Sequence, residues 1–175
     1  GFAWLNSGSF YRAVTWAVLE KGLDPSDRAG VARIARDAHL SLDGEGGVTV
    51  DGKPVEHQLR SDTVEAWAAR VSAIPEVRAE VNRRLREIAA GRDVVVDGRD
   101  IATVVFPDAE VKIYLDADVA TRARRRHTQG TSGMALEEIE RSIAERDRFD
   151  RAKPVAPLAV APGALILDTS HLTIE

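Results

Sequence analysis

The sequence predicts an α/β protein in which the strands of a parallel sheet alternate with helices. Short apolar and β-branched runs recur along the chain, and segments with helical periodicity separate them. The central run, Val94 to Val96, predicts a strand buried on both faces. Because ligands of open parallel sheets bind beyond the carboxyl ends of the strands, Arg99 and Asp100 are candidate binding residues. A surface ion pair that caps the turn is the alternative interpretation.

Composition narrows the class of protein. The 175 residues are 44% hydrophobic and 30% charged, which is typical of one compact domain over residues 1–175. No apolar run is long enough to span a membrane, and the absence of cysteine excludes disulfides and is compatible with a cytoplasmic protein. The four histidines are scattered without metal-ligand spacing, so we predict no metal site built by the protein. A net charge of −4 argues against nucleic acid as a partner.

The first half of the chain predicts a strand, helices and a small inserted sheet. A strand at residues 2–5 leads into a helix from about Ser9 to Lys21, and residues 24–27 open a second helix. Residues 40–56 alternate apolar and polar positions between glycine-containing turns, which predicts a small antiparallel sheet. The second helix has one apolar stripe: Val31, Ile34, Ala35 and Ala38.

Two more helices complete a predicted subdomain over residues 23–90. Asp62 is expected to cap the first of them with Glu65, and Pro75 to separate it from the second. Their predicted buried stripes are Val64, Trp67, Ala68 and Val71, and then Val77, Val81, Leu85 and Ile88.

Positive charge collects in two places. Tyr11 and Arg12 fall in the first turn of the first helix, where backbone N–H groups and the helix dipole favour an anion; a solvated arginine is the alternative.

Residues 121–153 carry nine basic and six acidic side chains in a chain that is otherwise acidic. This segment, with a helix from Thr121 to about His127, predicts a basic lid over an anionic ligand, or else a surface helix pair with salt bridges. Further strands are predicted at residues 111–115 and 164–168.

Four motifs occur in one order along the chain. They are NSGSFYR at 6–12, IPEVR at 74–78, DGRDIATVVFPDA at 97–109, and ERD at 145–147 followed by Asp150 and the Pro-Leu pair at 157–158. Over nearly its whole length the sequence closely resembles bacterial cytidylate (CMP/dCMP) kinases. The resemblance implies a P-loop nucleoside monophosphate kinase-like fold, a parallel sheet with helices on both faces. It also implies that the sheet predicted at 40–56 is the insert that separates this family from adenylate kinases.

The resemblance also implies a reaction, which is transfer of the γ-phosphoryl group of ATP, with Mg²⁺, to CMP or dCMP. The partners expected from it are these nucleotides, with no nucleic acid and no membrane, for a monomer in cytoplasmic pyrimidine metabolism. Such catalysis depends mainly on alignment and on neutralising the charge of the transferring group.

Residue roles follow from the same resemblance. Arg12 and Arg99 are expected to bind the CMP phosphate with Ser7. Asp100 is expected to accept a hydrogen bond from the cytosine N4 amino group, and Arg78 to donate to the O2 and N3 side of the base. The sugar is assigned to two residues of the last motif. The full substrate-binding set is Ser7, Tyr11, Arg12, Arg78, Arg99, Asp100, Arg146, Asp150 and Lys153, of which Arg146 and Asp150 hold the sugar.

Three arginines of the basic lid are expected to approach the ATP phosphates, namely Arg122, Arg125 and Arg126. The predicted catalytic residues are Arg12, Arg99 and Arg125, and no metal ligand is predicted. The chain departs from the family pattern at Asn6, where an Asp is usual, at Ala69, where a Ser is common, and at Lys153, where an Arg is usual.

The P-loop motif G-x-x-x-x-G-K-[ST] does not occur in the sequence. The family order of strands is 2-3-1-4-5, and its central strand carries that loop, so we expect this strand and a closing helix to be absent. The chain would then be a fragment that does not bind ATP productively, with two unpaired strand edges. The alternatives are a CMP-binding module without catalysis and an RNA-binding surface on residues 121–153, although aromatic residues are not interleaved there.

Overall fold

A computed structural model of the chain describes residues 1–129, 133–152 and 158–173. These residues form two compact units, Gly1–Gly98 (unit 1) and Arg99–Glu175 (unit 2). Each unit contains helices and one pair of parallel strands, which confirms the predicted α/β class. No helix within the described ranges is long and apolar enough to cross a membrane. The subdomain over 23–90 and the lid over 121–153 remain predictions.

Unit 1 contains a parallel strand pair and a separate small antiparallel sheet. β1 and β5 are parallel, and β1 ends at Asn6 directly opposite Asp97 of β5. β2, β3 and β4 form the small antiparallel sheet predicted within residues 40–56, and its identity as the family's insert stays a prediction. The elements in order are β1 (Ala3–Asn6), α1 (Ser7–Glu20), α2 (Arg28–Asp37), β2 (Leu40–Leu42), β3 (Val48–Val50), β4 (Lys53–Pro54), a 3₁₀ turn (Gln58–Arg60), α3 (Asp62–Val71), α4 (Pro75–Ala89) and β5 (Val94–Asp97).

α1 begins two residues earlier than predicted. The Asn6 side chain accepts a hydrogen bond from the backbone N–H of Ser9 at 3.1 Å, so Asn6 is the N-cap and Ser7 the first helical residue. The helix ends as predicted near Gly22, whose φ of +65° is a left-handed conformation that glycine adopts without strain.

The other helices of unit 1 follow the predicted apolar pattern in part, because Trp67 and Ala68 of α3 and Ile88 of α4 are only half-buried. The predicted stripe of α2 is buried throughout, and Val77, Val81 and Leu85 of α4 are fully buried. The prediction that Asp62 caps α3 is wrong. The hydroxyl of Ser61 accepts the hydrogen bond from the backbone N–H of Val64 at 3.5 Å, so Ser61 is the N-cap. Ser and Asp are both strong N-cap residues, so the sequence alone did not distinguish these neighbours.

α1 is the central helix of unit 1. It contacts α2, α3, α4 and β3, and its residues Phe10, Val14 and Val18 are fully buried. Leu5 of β1 is also fully buried. This packing fixes α1 on several sides and thereby fixes the direction of the polar residues on its first turns.

The prediction that Val94 to Val96 form a strand is confirmed, but their predicted burial on both faces is wrong. Val95 is 55% exposed, and Val94 and Val96 are only half-buried. β5 has a strand neighbour on one side only among the described residues, namely β1. A run of valines favours a strand, but how far it is buried depends on what covers its two faces.

Unit 2 has a parallel strand pair and two packed helices. β6 and β7 are parallel, with Asp116 opposite Asp168 at their carboxyl ends, and α5 packs on α6. The pairs β1–β5 and β6–β7 agree with neighbours in the predicted strand order. Most apolar side chains of β6 and β7 are exposed, including Leu115 and Leu165. The elements are a π-helical turn (Ile101–Val105), β6 (Ile113–Asp116), α5 (Val119–Thr128), α6 (Leu136–Arg151) and β7 (Leu165–Asp168).

Candidate functional site

The first turn of α1 carries the first group of candidate residues. Ser7 is buried at the first helical position, where backbone N–H groups have no partner within the helix. The Arg12 side chain extends back toward the start of the helix. Its Nη1 atom lies 3.4 Å from the position that a Cβ atom would take on Gly8. The guanidinium also lies 3.7 Å from the carboxylate of Glu65 on α3. This end of α1 therefore combines a helix N-terminus with an arginine, an arrangement that favours anions.

Tyr11 and Arg78 form a second group in unit 1. Tyr11 is buried, and the guanidinium carbon of Arg78 lies 5.5 Å from the centre of its ring, a cation–π contact. Nη1 of Arg78 donates to the backbone carbonyl of Ser72, the residue that ends α3, at 3.2 Å. The structure therefore brings these two predicted residues together and holds Arg78 from two sides.

Arg99, Asp150 and Arg146 form the third group, in unit 2. An ion pair joins the guanidinium of Arg99 to the carboxylate of Asp150, whose side chain is only 5% exposed near the end of α6. Burial, and then the positive charge of Arg146, lower the pKa of Arg99 to about 10, so it remains protonated at neutral pH. The pair joins residues 51 positions apart in sequence from two of the four motifs.

Asp100 is buried next to Arg99 and begins the π-helical turn. It is 6% exposed, and its backbone carbonyl accepts hydrogen bonds from the N–H groups of Val104 and Val105. The tight turn fixes the backbone at Asp100, and so the position from which its carboxylate extends.

Two of the three predicted arginines of α5, Arg122 and Arg125, have hydrogen-bond partners within unit 2. Both terminal nitrogens of Arg122 donate to Asp147 on α6, at 3.1 and 2.6 Å. These hydrogen bonds hold the pKa of the Asp147 carboxyl below its usual value. Arg125 donates to the Thr169 hydroxyl at 3.0 Å and to the Leu172 carbonyl at 3.1 Å, and Arg126 is half-buried on the same helix.

A cleft of about 450 Å³ opens at the carboxyl ends of β6 and β7. Its lining includes the strand-end carboxylates Asp116 and Asp168, together with Arg122 and Asp147 of the ion pair just described. Within the described ranges, no three His, Cys, Asp or Glu side chains are grouped so that they could hold a metal ion. The lining holds both charges: four carboxylates, Asp116, Asp118, Asp147 and Asp168, and three arginines, Arg122, Arg148 and Arg151.

The predicted residues divide between the two units. Ser7, Tyr11, Arg12 and Arg78 lie in unit 1, and the remaining described ones lie in unit 2. Lys153 lies outside the described residues, as do residues 130–132 of the predicted lid.

Three residues that hold the predicted site residues were not themselves predicted to belong to the site. Glu65 faces Arg12, Asp147 binds Arg122, and Asn82 binds the hydroxyl of Tyr11. Two of them had a signal in the sequence: Asn82 is a polar residue beside the apolar stripe of α4, and Asp147 stands in the fourth motif.

Comparison with known proteins decides the family. The family model described as "Cytidylate kinase" matches residues 1–175. The chain belongs to the cytidylate kinase family. A "Cytidylate kinase" from Limosilactobacillus reuteri (strain DSM 20016) is 42% identical over 183 residues, which cover 99% of this chain and 79% of the relative.

Two further relatives come from other bacteria, and one of them is named as a bifunctional protein. A "Cytidylate kinase" from Caldanaerobacter subterraneus subsp. tengcongensis is 40% identical over 179 residues, covering 100% of this chain and 79% of the relative. A "Bifunctional pantoate ligase/cytidylate kinase" from Synechococcus sp. (strain JA-3-3Ab) is 38% identical over 179 residues. That match covers 97% of this chain and 33% of the longer protein. Membership of this family makes the protein a kinase, which is a transferase.

Proposed function

We propose that this chain provides the nucleotide-monophosphate site of a kinase that transfers the γ-phosphoryl group of ATP to CMP or dCMP. The ion pair of Arg99 with Asp150 carries the proposal, because it joins two of the family's motifs at a buried carboxylate. The match of the cytidylate kinase family over residues 1–175 supports it.

In this proposal the phosphate of CMP binds to Arg12, Arg99 and Ser7. The helix N-terminus beside Arg12 supplies backbone N–H groups that favour a doubly charged phosphate. Guanidinium groups suit this role because they offer paired donors that match phosphate oxygens. On binding, the phosphate replaces or joins the carboxylates that now face them, Glu65 and Asp150.

The base and sugar take the remaining residues. Asp100 accepts from the cytosine N4 amino group, and Arg78 donates to O2 and N3. Tyr11 supports Arg78 through its ring, as the contact between them suggests. We assign the sugar to Arg146 and Asp150, and Lys153 completes the set.

The reaction needs little from the protein beyond placement and charge. An oxygen of the CMP phosphate attacks the γ-phosphorus of ATP, the bond from that phosphorus to the β–γ bridging oxygen breaks, and ADP leaves with the electron pair. The attacking oxygen is already anionic at neutral pH, so no strong general base is required. Arg12, Arg99 and Arg125 offset the charge on the transferring group.

We place the phosphates of ATP near Arg122, Arg125 and Arg126. Mg²⁺, when bound with ATP, neutralises charge on the phosphate oxygens, and such ions take most of their ligands from phosphates and water. For Arg122 to reach ATP, it must exchange the carboxylate of Asp147 for a phosphate.

We further propose that residues 1–175 alone bind CMP without turning it over. The nearest match to the P-loop motif, residues 47–53, is followed by Pro54 where Ser or Thr is required, and it lies in the β3–β4 hairpin. Among the described residues, β5 and β6 each have a strand neighbour on one side only, which is consistent with strands that take a further neighbour.

Calorimetric titration of CMP tests the binding proposal. Wild-type protein is expected to bind one CMP, and Arg12→Ala to raise its Kd about tenfold to hundredfold, since one charge-assisted contact to phosphate is lost. Arg28→Ala is the matched control, because Arg28 is an exposed arginine of unit 1 that lies 3.8 Å from the carboxylate of Glu76 and is assigned no role in CMP binding. Absence of CMP binding, or equal binding by Arg12→Ala, would contradict the proposal.

An assay of CDP formation by the same protein tests the proposed lack of turnover. With ATP, Mg²⁺ and CMP we expect no CDP above the enzyme-free rate. Fusion of a strand, a P-loop and a helix before Gly1 is expected to produce CDP. Turnover by residues 1–175 alone would refute this part of the proposal, whereas CMP binding would still stand.

A further inference from the structure

Asn82 is a polar side chain in the packed face of α4. It is 7% exposed, while its neighbours Val81 and Leu85 are fully buried. A buried amide costs free energy unless it is hydrogen-bonded, so an apolar residue would be the simpler choice here. Oδ1 of Asn82 accepts a hydrogen bond from the hydroxyl of Tyr11 on α1 at 3.3 Å, in buried surroundings.

The other end of the Tyr11 side chain meets a different residue of the same helix. Arg78 lies one turn before Asn82, and its guanidinium lies over the Tyr11 ring at 5.5 Å from the ring centre. Tyr11 is thus held at its hydroxyl and in contact with Arg78 at its ring. A ring occupies the face of a guanidinium, while the N–H donors point outward from its edge.

We propose that Asn82 is a positioning residue for recognition of the pyrimidine base. It fixes the hydroxyl of Tyr11, the Tyr11 ring fixes the plane of the Arg78 guanidinium, and that plane directs the Arg78 donors to the base. The inference rests on the proposed function, because it takes Arg78 as the residue that donates to cytosine.

The chemistry of the base makes this arrangement selective. N3 of cytosine accepts a hydrogen bond, whereas N3 of uracil carries a proton and donates. A correctly directed Arg78 therefore favours CMP over UMP, and a loosened Arg78 loses more affinity for CMP than for UMP. A residue that only stabilises the fold would change both affinities alike.

The test measures the Kd of CMP and of UMP by calorimetry for four variants of the full chain. Asn82→Leu removes the acceptor, Tyr11→Phe removes the donor but keeps the ring, and the double variant removes both. Thr15→Val is the matched control, because the fully buried Thr15 donates to the backbone carbonyl of Tyr11 at 2.9 Å, away from the ring. Circular dichroism establishes that each variant is folded.

We expect Asn82→Leu and Tyr11→Phe each to raise the Kd of CMP about threefold to tenfold, with a smaller change for UMP. The double variant is expected to match the single ones, since all three remove the same hydrogen bond. Thr15→Val is expected to bind both nucleotides as wild type does. If Asn82→Leu does not fold, Tyr11→Phe alone gives the selective loss.

Three results would overturn the inference. They are wild-type CMP affinity in Tyr11→Phe, equal losses for CMP and UMP, and the same selective loss in Thr15→Val. Failure of wild-type protein to bind CMP is a different result, since it removes the proposed function and this inference with it.

Discussion

The Arg99–Asp150 ion pair gives an unequal prediction for its two partners. The Asp150 side chain is 5% exposed, but the Arg99 side chain is 42% exposed. Arg99→Gln leaves a carboxylate buried without its counter-ion, whereas Asp150→Asn leaves a guanidinium that water can solvate. Breaking a fully buried pair costs about 3–5 kcal/mol, and an exposed pair contributes about 0.2–1 kcal/mol.

These two ranges bound the loss of unfolding free energy that we expect when this ion pair is broken. Because one partner is half-exposed, we expect Arg99→Gln to lower the free energy of unfolding by about 2–3 kcal/mol and Asp150→Asn by about 1 kcal/mol. The double variant Arg99→Gln/Asp150→Asn is expected to recover part of the larger loss, since no buried charge remains. Urea unfolding followed by circular dichroism at pH 7 measures all three. Equal losses for the two single variants, or a larger loss for Asp150→Asn, would refute the reasoning from exposure.

Three further predictions concern single contacts. Asp147→Asn is expected to lower the free energy of unfolding by about 0.5–1 kcal/mol at pH 7. Arg122 lowers the pKa of the Asp147 carboxyl, so the ion pair is lost as the pH falls through that lowered pKa. Urea unfolding at decreasing pH should therefore show the difference between variant and wild type vanish. Asn6→Ala should destabilise by about 1 kcal/mol through loss of the α1 cap, while Asn6→Asp should not lower the midpoint of thermal unfolding, and equal midpoints for all three proteins would contradict the cap. Burial raises the pKa of the Asp97 carboxyl, and the hydrogen bond that it accepts from the indole N–H of Trp4 at 2.9 Å opposes this shift. Trp4→Phe should therefore raise the pKa of Asp97 further, as measured by ¹³C NMR titration. An unchanged or lower pKa would contradict this prediction.

Local patterns in the sequence predicted the helices well. The stripe Val31, Ile34, Ala35 and Ala38 is buried in α2 because helical periodicity depends only on residues close together in the chain. The same locality explains small errors at helix ends. α1 begins two residues before the expected Ser9, and Ser61 caps α3 one residue before the expected Asp62, since adjacent Asn, Ser and Asp residues all suit the cap position.

Long-range features could not be read in the same way. The exposure of Val95 depends on which elements cover β5, and no run of three valines contains that information. Arg99 and Asp150 are far apart in sequence, so only the resemblance to a family grouped them before their ion pair was seen. Asn82 shows a further limit, because a single amide beside an apolar stripe does not indicate which hydroxyl it will bind.

A crystal structure of residues 1–175 grown with CMP is the most direct test of the proposed site. We predict that the CMP phosphate contacts the guanidinium groups of Arg12 and Arg99, and that the N4 amino group of cytosine donates to Asp100. CMP bound elsewhere, with none of these three side chains touching it, would contradict the account.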